Sequence, residues 1–284
     1  MTHLRVGGVP EHFNLPWHLG MEHDHFKKHN LHLDWITFLG GTGAMTKALR
    51  NNEVDICILL TEGIVADITK GNPSKIIGGY INTPLIWGVH SSDENELNRY
   101  GEIFDRKYAI SRFGSGSHLM AVVDAHSKGK TIEDKQFEVI RNLNGALASL
   151  EKQESDVFYW EKFTTKPFVD SGQLKRIGEY ITPWPCFQIA ARQEVIDKHP
   201  EELKNVLKMI YFISQQFMNS LDAVEQVSKR YNLGLEDTEQ WFFCTEWSTN
   251  SKVSRKMIQN VVYTLNQAGI LDTQPKFKDL VVEL

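Results

Sequence analysis

Short apolar runs alternate with amphipathic stretches over the first two-thirds of the chain, and the remainder shows helical spacing alone. Residues 4–8, 31–38, 56–60, 76–80 and 85–90 have the length and β-branched content of buried strands. Between them, residues 17–28, 40–50 and a stretch opening at Thr61-Glu62-Gly63 and stopped by Gly71-Asn72-Pro73 read as helices. The same alternation follows with strands over 108–111, 137–140, 157–160, 174–177 and 186–191 and helices over 118–128, 145–152 and 164–170. After Gln193 only helices are expected, over 194–198, 200–219, 220–231, 235–245 and 251–268. Pro200 suits a first helical turn and Gly269 a position just past a helix end. Strands alternating with helices imply an α/β fold with mostly parallel pairing, followed by a helical C-terminal segment.

The pattern also repeats. Asp55 and Asp156 lie 101 residues apart, and each opens an apolar run. At the same offset Leu49 matches Leu150, Glu53 matches Glu154 and Pro84 matches Pro185, each proline again preceding an apolar stretch. Two alike halves imply two lobes, and a cleft between lobes is a natural place for a small ligand.

Composition narrows the function. With 41% apolar residues in 284 the chain can bury a real core, and a formal charge of −5 without a basic run argues against a nucleic-acid binder. Three widely spaced cysteines without a C-x-x-C motif suggest neither a disulfide framework nor a zinc site. No stretch approaches the roughly 18 apolar residues of a membrane span, so membrane insertion is not expected. The first residues lack the apolar core of a secretion signal, which makes the sequence as given read as cytoplasmic, or as periplasmic or secreted if a leader has been removed.

Ligands of open α/β sheets sit beyond the carboxyl ends of the strands, where four loops qualify. The first, from Pro10 to His18, contains His12, Phe13, Asn14 and Trp17 on a proline-stiffened backbone suited to gripping a flat or polar molecule. The second, Gly40-Gly41-Thr42-Gly43, opens a helix whose free N–H groups and dipole favour negative charge. The third, Ser111 to His118, joins glycines, the hydroxyls of Ser115 and Ser117 around Gly116, and Arg112, which can fork onto an oxyanion. It has neither the dinucleotide fingerprint nor a Walker A lysine. The fourth, from Trp160 through Glu161 to Lys166, matches Leu60, Thr61 and Glu62 of the first half. Trp184, held between prolines, is a further wall residue, and Cys186 beside it would be a nucleophile only with a base at hand. His23, Asp24, His25, His29 and His32 have the look of a metal tract but read as the wet face of an amphipathic segment. No metal, cofactor or catalytic residue is therefore expected. The aromatic-rich stretches 210–217 and 241–247 could serve either as core or as a protein-interaction surface.

The order of these elements resembles the type II periplasmic-binding-protein fold, in the branch with aliphatic-sulfonate, nitrate and thiamine-pyrimidine binding proteins. The resemblance is carried by residues 12–17, by Gly40 to Leu49 leading into Glu53-Val54-Asp55-Ile56, by Ile110 to Ser117, and by the strands beginning at Leu85 and Cys186. It implies two crossings between lobes, near 84–90 and 185–191, with lobe one formed by 1–86 plus 188–284 and lobe two by 87–187. It also implies hinge closure on a small polar ligand, anionic or heteroaromatic, and a permease of the ABC class as the usual partner. Members of that group are typically exported, so the missing leader leaves a cytosolic carrier or sensor as an option. A second alternative is a cytosolic enzyme similar to the fungal thiamine-pyrimidine synthase, although the cysteine-rich segment of that enzyme is reduced here to Trp184-Pro185-Cys186-Phe187-Gln188. Oligomeric state is not legible.

Overall fold

A computed structural model describes residues 2–284. The first half runs β1 (Thr2–Gly8), α1 (Leu15–Glu22), β2 (Leu31–Thr37), α2 (Gly41–Arg50), β3 (Ile56–Leu60), α3 (Thr61–Thr69) and β4 (Ser74–Ile81). The chain then enters a second sheet through β5 (Ile86–Ser91). There it runs β6 (Tyr108–Ile110), α4 (Gly116–Ser127), β7 (Phe137–Val139), α5 (Leu143–Glu151), β8 (Val157–Glu161), α6 (Lys166–Asp170) and β9 (Lys175–Ile181). It returns through β10 (Phe187–Arg192) and closes with α7 (Gln193–Lys198), α8 (Pro200–Met218), α9 (Ala223–Tyr231), α10 (Leu235–Phe243), α11 (Arg255–Gln267) and α12 (Phe277–Leu280).

The two sheets have the same plan. The first is ordered β2-β1-β3-β10-β4 and the second β7-β6-β8-β5-β9. In each, three strands are parallel and the fourth is an antiparallel strand exchanged between the sheets: β10 lies between β3 and β4, and β5 between β8 and β9. Ile56 and Val157, which begin β3 and β8, are 101 residues apart, as are Ser74 and Lys175, and Ile86 and Phe187. The offset seen in the sequence is thus the register of a structural repeat. The result is a two-lobed α/β fold with two mixed sheets flanked by helices.

Local chemistry explains the elements. All five residues of β3 are buried, because helices cover both faces of a parallel strand. The C-terminal helices pack on the first sheet: Tyr211 of α8 donates to Gly79 O at 3.0 Å, and Trp247 Nε1 donates to Phe13 O at 3.0 Å. A Cβ on Gly78 would sit 2.1 Å from the Tyr211 hydroxyl, so only glycine lets α8 approach β4 this closely. Within the two aromatic stretches Ile210, Phe217, Trp241 and Trp247 are core, whereas Phe212 and Phe243 stay exposed. The helix expected over 17–28 ends early. Asp24 adopts a left-handed φ of 57°, which turns the chain so that Phe26 stacks on Trp17 at 5.8 Å. Burial of that aromatic pair outweighs continuation of the helix. Among the described residues no helix is long and apolar enough to cross a membrane.

Candidate functional site

Two crossing segments, residues 82–85 and 182–186, lie side by side. Thr182 N donates to Leu85 O and Cys186 N to Thr83 O, each at 3.0 Å, and Trp87 Nε1 donates to Thr182 Oγ1 at 2.9 Å. The start of α3 anchors them from the first lobe. Thr61 Oγ1 donates to Pro185 O at 2.6 Å, and Trp184 Nε1 donates to Glu62 Oε2 at 2.9 Å. Thr61, Glu62 and Trp184, expected on the ligand, are instead buried where the crossings meet the first lobe. Burial pushes the Glu62 carboxyl up to about 7, a rise held back by the Trp184 N–H.

Beside the crossings lies a cavity of about 320 Å³. Val9, Glu11, Gly40, Gly41, Thr42 and Leu60 face it from the first lobe, and Trp87, Ser115, Gly116, Ser117, Asn142, Trp160 and Glu161 from the second. Leu85 and Phe187 complete it at the crossings. Three helices begin at this cavity. Neither α2 nor α4 has a side-chain cap, which leaves first-turn N–H groups available. At α5 Asn142 caps the Gly145 N–H at 3.0 Å. The serines are pre-arranged: Ser111 N donates to Ser117 Oγ at 3.1 Å, and the Ser115 and Ser117 hydroxyls lie 3.1 Å apart. Thr42 Oγ1 accepts from Leu60 N at 3.1 Å and ties the start of α2 to the end of β3.

Of the residues expected on the ligand, Gly41, Thr42, Ser115, Gly116, Ser117 and Glu161 meet around this cavity. The others do not. Trp17 is core between Phe26 and Tyr80. Asn14 binds Val9 O at 2.9 Å and holds the first loop in shape. Phe13 supports the wall from behind, with its ring 5.1 Å from that of Phe187. His118 accepts from Gly114 N at 3.1 Å and packs on Phe137, so it braces the third loop from outside. Arg112 reaches from the second lobe to the first and lies against Gly40 and Gly43. A Cβ on Gly40 would sit 2.1 Å from Arg112 Nη2. Arg112 is therefore a contact between lobes, not a wall of the cavity, and its buried Nη1 has no partner among the described residues. Gly43 serves that contact. These departures share a cause: a loop after a strand alternates side chains between cavity and core, and spacing alone does not say which.

A side chamber of about 250 Å³ shares Pro10, Glu11, Leu143 and Thr164 with the main cavity and adds His12, Tyr231 and Asn232. His12 is 1% exposed and its ring stands edge-on to Trp241 at 4.1 Å. Burial holds it neutral, down to about 3. Its Nε2 lies 3.9 Å from Glu161 Oε2. Glu161 accepts from Phe163 N at 3.1 Å, and from Thr164 N at 2.6 Å and Thr164 Oγ1 at 2.8 Å, yet burial still outweighs these bonds and raises its carboxyl. Burial and the charge of Glu161 push Glu11 up to about 8. Several wall residues went unread in the sequence, among them Glu11, Trp87, Asn142 and Phe187. The Pro10-Glu11 pair inside the singled-out first loop, and the residues flanking the second crossing, were the available signals.

Cys186 is fully buried, and burial raises its thiol well above the ordinary value, so it is not poised as a nucleophile. His32 leaves the histidine tract and instead faces His3 and Asp34 across β1 and β2, with its Nε2 3.2 Å from Asp34 Oδ1.

A family model described as Ca3427-like PBP matches residues 87–180. No curated protein matches the chain by sequence. Among solved structures, the Candida albicans CA3427 gene product, which exhibits the generic periplasmic binding protein fold, is 27% identical with a TM-score of 0.93, covering 100% of this chain and 97% of that one. The alkanesulfonate-binding protein SsuA from Xanthomonas axonopodis pv. citri, bound to MOPS, is 11% identical with a TM-score of 0.84, covering 100% and 99%. The periplasmic aliphatic sulphonate binding protein SsuA from Escherichia coli is 13% identical with a TM-score of 0.72, covering 99% and 97%. Paired sheets of one plan, exchanged strands and these likenesses together show that the chain has the type II periplasmic-binding-protein-like fold.

Proposed function

We propose that this protein is a solute-binding protein that closes two lobes, residues 1–86 with 188–284 and residues 87–187, on a small part-polar ligand. The observation that carries the reading is one cavity, walled from both sheets, beside two antiparallel crossings that can act as a hinge. The uncapped starts of α2 and α4, with Ser115 and Ser117, suit an anionic or hydrogen-bond-accepting group. Trp87, Trp160 and Phe187 suit a flat ring or an apolar body. Arg112, lying on Gly40 and Gly43, holds the closed arrangement across the mouth. The sulfonate-binding relatives support this class of role, and a permease of the ABC type is the corresponding partner. An enzymatic role finds no support in the buried Cys186.

Native mass spectrometry of the purified protein tests the reading. A bound small molecule is expected in the unmodified chain. It should be lost in Asn144→Trp, which places a bulky ring on an exposed cleft residue without touching the core. A small molecule retained equally by both would show that binding is elsewhere.

A further inference from the structure

The cavity is built asymmetrically. One side offers helix N-termini and hydroxyls. The other side ends in two carboxyls, Glu11 and Glu161, with His12 behind them, and no lysine or arginine is among the described residues lining either chamber. A simple anion would satisfy the first side and leave the second facing carboxyls. Glu11 stands at the junction of the main cavity and the side chamber, and its carboxyl accepts no hydrogen bond from any described residue. His12 Nε2 is buried with no hydrogen-bond partner among the described residues, and His12 lines the side chamber. Buried polar atoms are rarely left unmatched without a reason such as a ligand. Arg176, which acts on Glu161 through space, already donates to Lys162 O at 2.7 Å.

Resting on the solute-binding reading, we propose that the ligand is two-ended: an acceptor group at the starts of α2 and α4, and a nitrogen end seated on Glu11, His12 and Glu161. That nitrogen end is a protonated amine or amidine, or the N–H edge of an amino-heterocycle. The aromatic walls between the two ends set a flat or apolar middle. Neutral His12 accepts from the nitrogen end or donates to it according to its tautomer, while a carboxyl facing an ammonium or amidinium makes the stronger, charge-assisted bond. This class differs from a plain alkanesulfonate, which has nothing to present to the carboxyl side.

The test is a calorimetric and thermal-shift panel on the full chain. It holds ring carboxylates and sulfonates, ring amines and amidines, and compounds with both ends, 4-(aminomethyl)benzoate and 4-amidinobenzoate among them. Two-ended probes are expected to bind about tenfold or more tighter than their anion-only matches, a difference of one charge-assisted contact. Glu11→Gln should abolish that advantage, so that two-ended and anion-only probes bind alike, with its melting temperature without probe confirming that it folds. Anion-only probes binding as tightly as two-ended ones, or an advantage that survives Glu11→Gln, would overturn the inference while the solute-binding reading stands. No stabilisation by any probe, together with no co-purifying molecule, would overturn both.

Discussion

The lobes share a scaffold and differ in chemistry at matched positions. Leu60 and Glu161 are 101 residues apart, each ends the third strand of its sheet, and both face the cavity, one as an apolar wall and the other as a carboxyl. Glu11 and Arg112 are also 101 residues apart, in the loops after β1 and β6, the second strand in the order of each sheet. From one lobe that loop supplies an acid to the cavity, and from the other a guanidinium that bridges to the opposite lobe. The repeat therefore builds a frame, and the departures from it build the site. A ligand in such a cleft meets unlike surfaces from the two sides, so it can be oriented and not merely enclosed.

The largest effect should come from one matched pair. Trp17 and His118 occupy corresponding places, but Trp17 is wholly buried and His118 only braces a loop. Trp17→Ala is expected to cost about 3–5 kcal/mol in chemical denaturation, and His118→Ala about 1 kcal/mol or less. Similar losses at both sites would mean that the lobes share side-chain roles as well as topology.

The next pair is Asp55 and Asp156. Burial pushes the Asp55 carboxyl up, but bonds from the Arg5 side chain and backbone and from Arg192 outweigh it and hold the group at about 2. Asp156 accepts instead from Lys107 N at 3.1 Å and Asn95 Nδ2 at 3.0 Å. A depressed carboxyl adds stability above its unfolded value of 3.8 and loses it as pH falls through about 2. Asp55→Asn should thus cost about 2 kcal/mol at pH 6, with the deficit shrinking toward pH 2, and Asp156→Asn should cost less. Urea titrations over that range provide the check.

Glu62 titrates in the opposite sense. Its raised carboxyl favours folding fully below its unfolded value of 4.5, and that advantage fades as pH rises through about 7. Glu62→Gln should flatten the decline in stability between pH 5 and pH 9 by on the order of 2 kcal/mol. An unchanged slope would show that the group is ionised against Trp184 at neutral pH.

The smallest effect tests the bridge between lobes. Arg112→Ala should weaken binding of whatever molecule co-purifies by about tenfold, near 1.4 kcal/mol, and should increase the radius of gyration in small-angle scattering. A tenfold loss with unchanged dimensions would make Arg112 a direct ligand contact, contrary to its placement against Gly40 and Gly43.

Local pattern carried much of the architecture. The strands from Ile56 and Val157, the helices from Gly41 and Pro200, and the repeat that aligns them were all readable, because burial on one face or two leaves a period in the chain. Helix ends were read less well. The stop at Glu22 depends on Phe26 finding Trp17, a contact that periodicity does not encode.

For the site, the glycine and serine loops pointed to the cavity because small residues at helix starts have few other uses there. The sharper assignments failed at Glu62, Trp184 and Arg112. Glu62 and Trp184 meet across 122 residues of chain, and Arg112 meets Gly40 only when one lobe folds over the other. Hydrophobic period, turn residues and an internal repeat are properties of neighbouring positions, so they specify elements and their order. Whether a carboxyl at the end of a strand faces the cavity, like Glu161, or a tryptophan at the crossings, like Glu62, depends on a partner far along the chain. That partner is brought there by the packing of whole lobes.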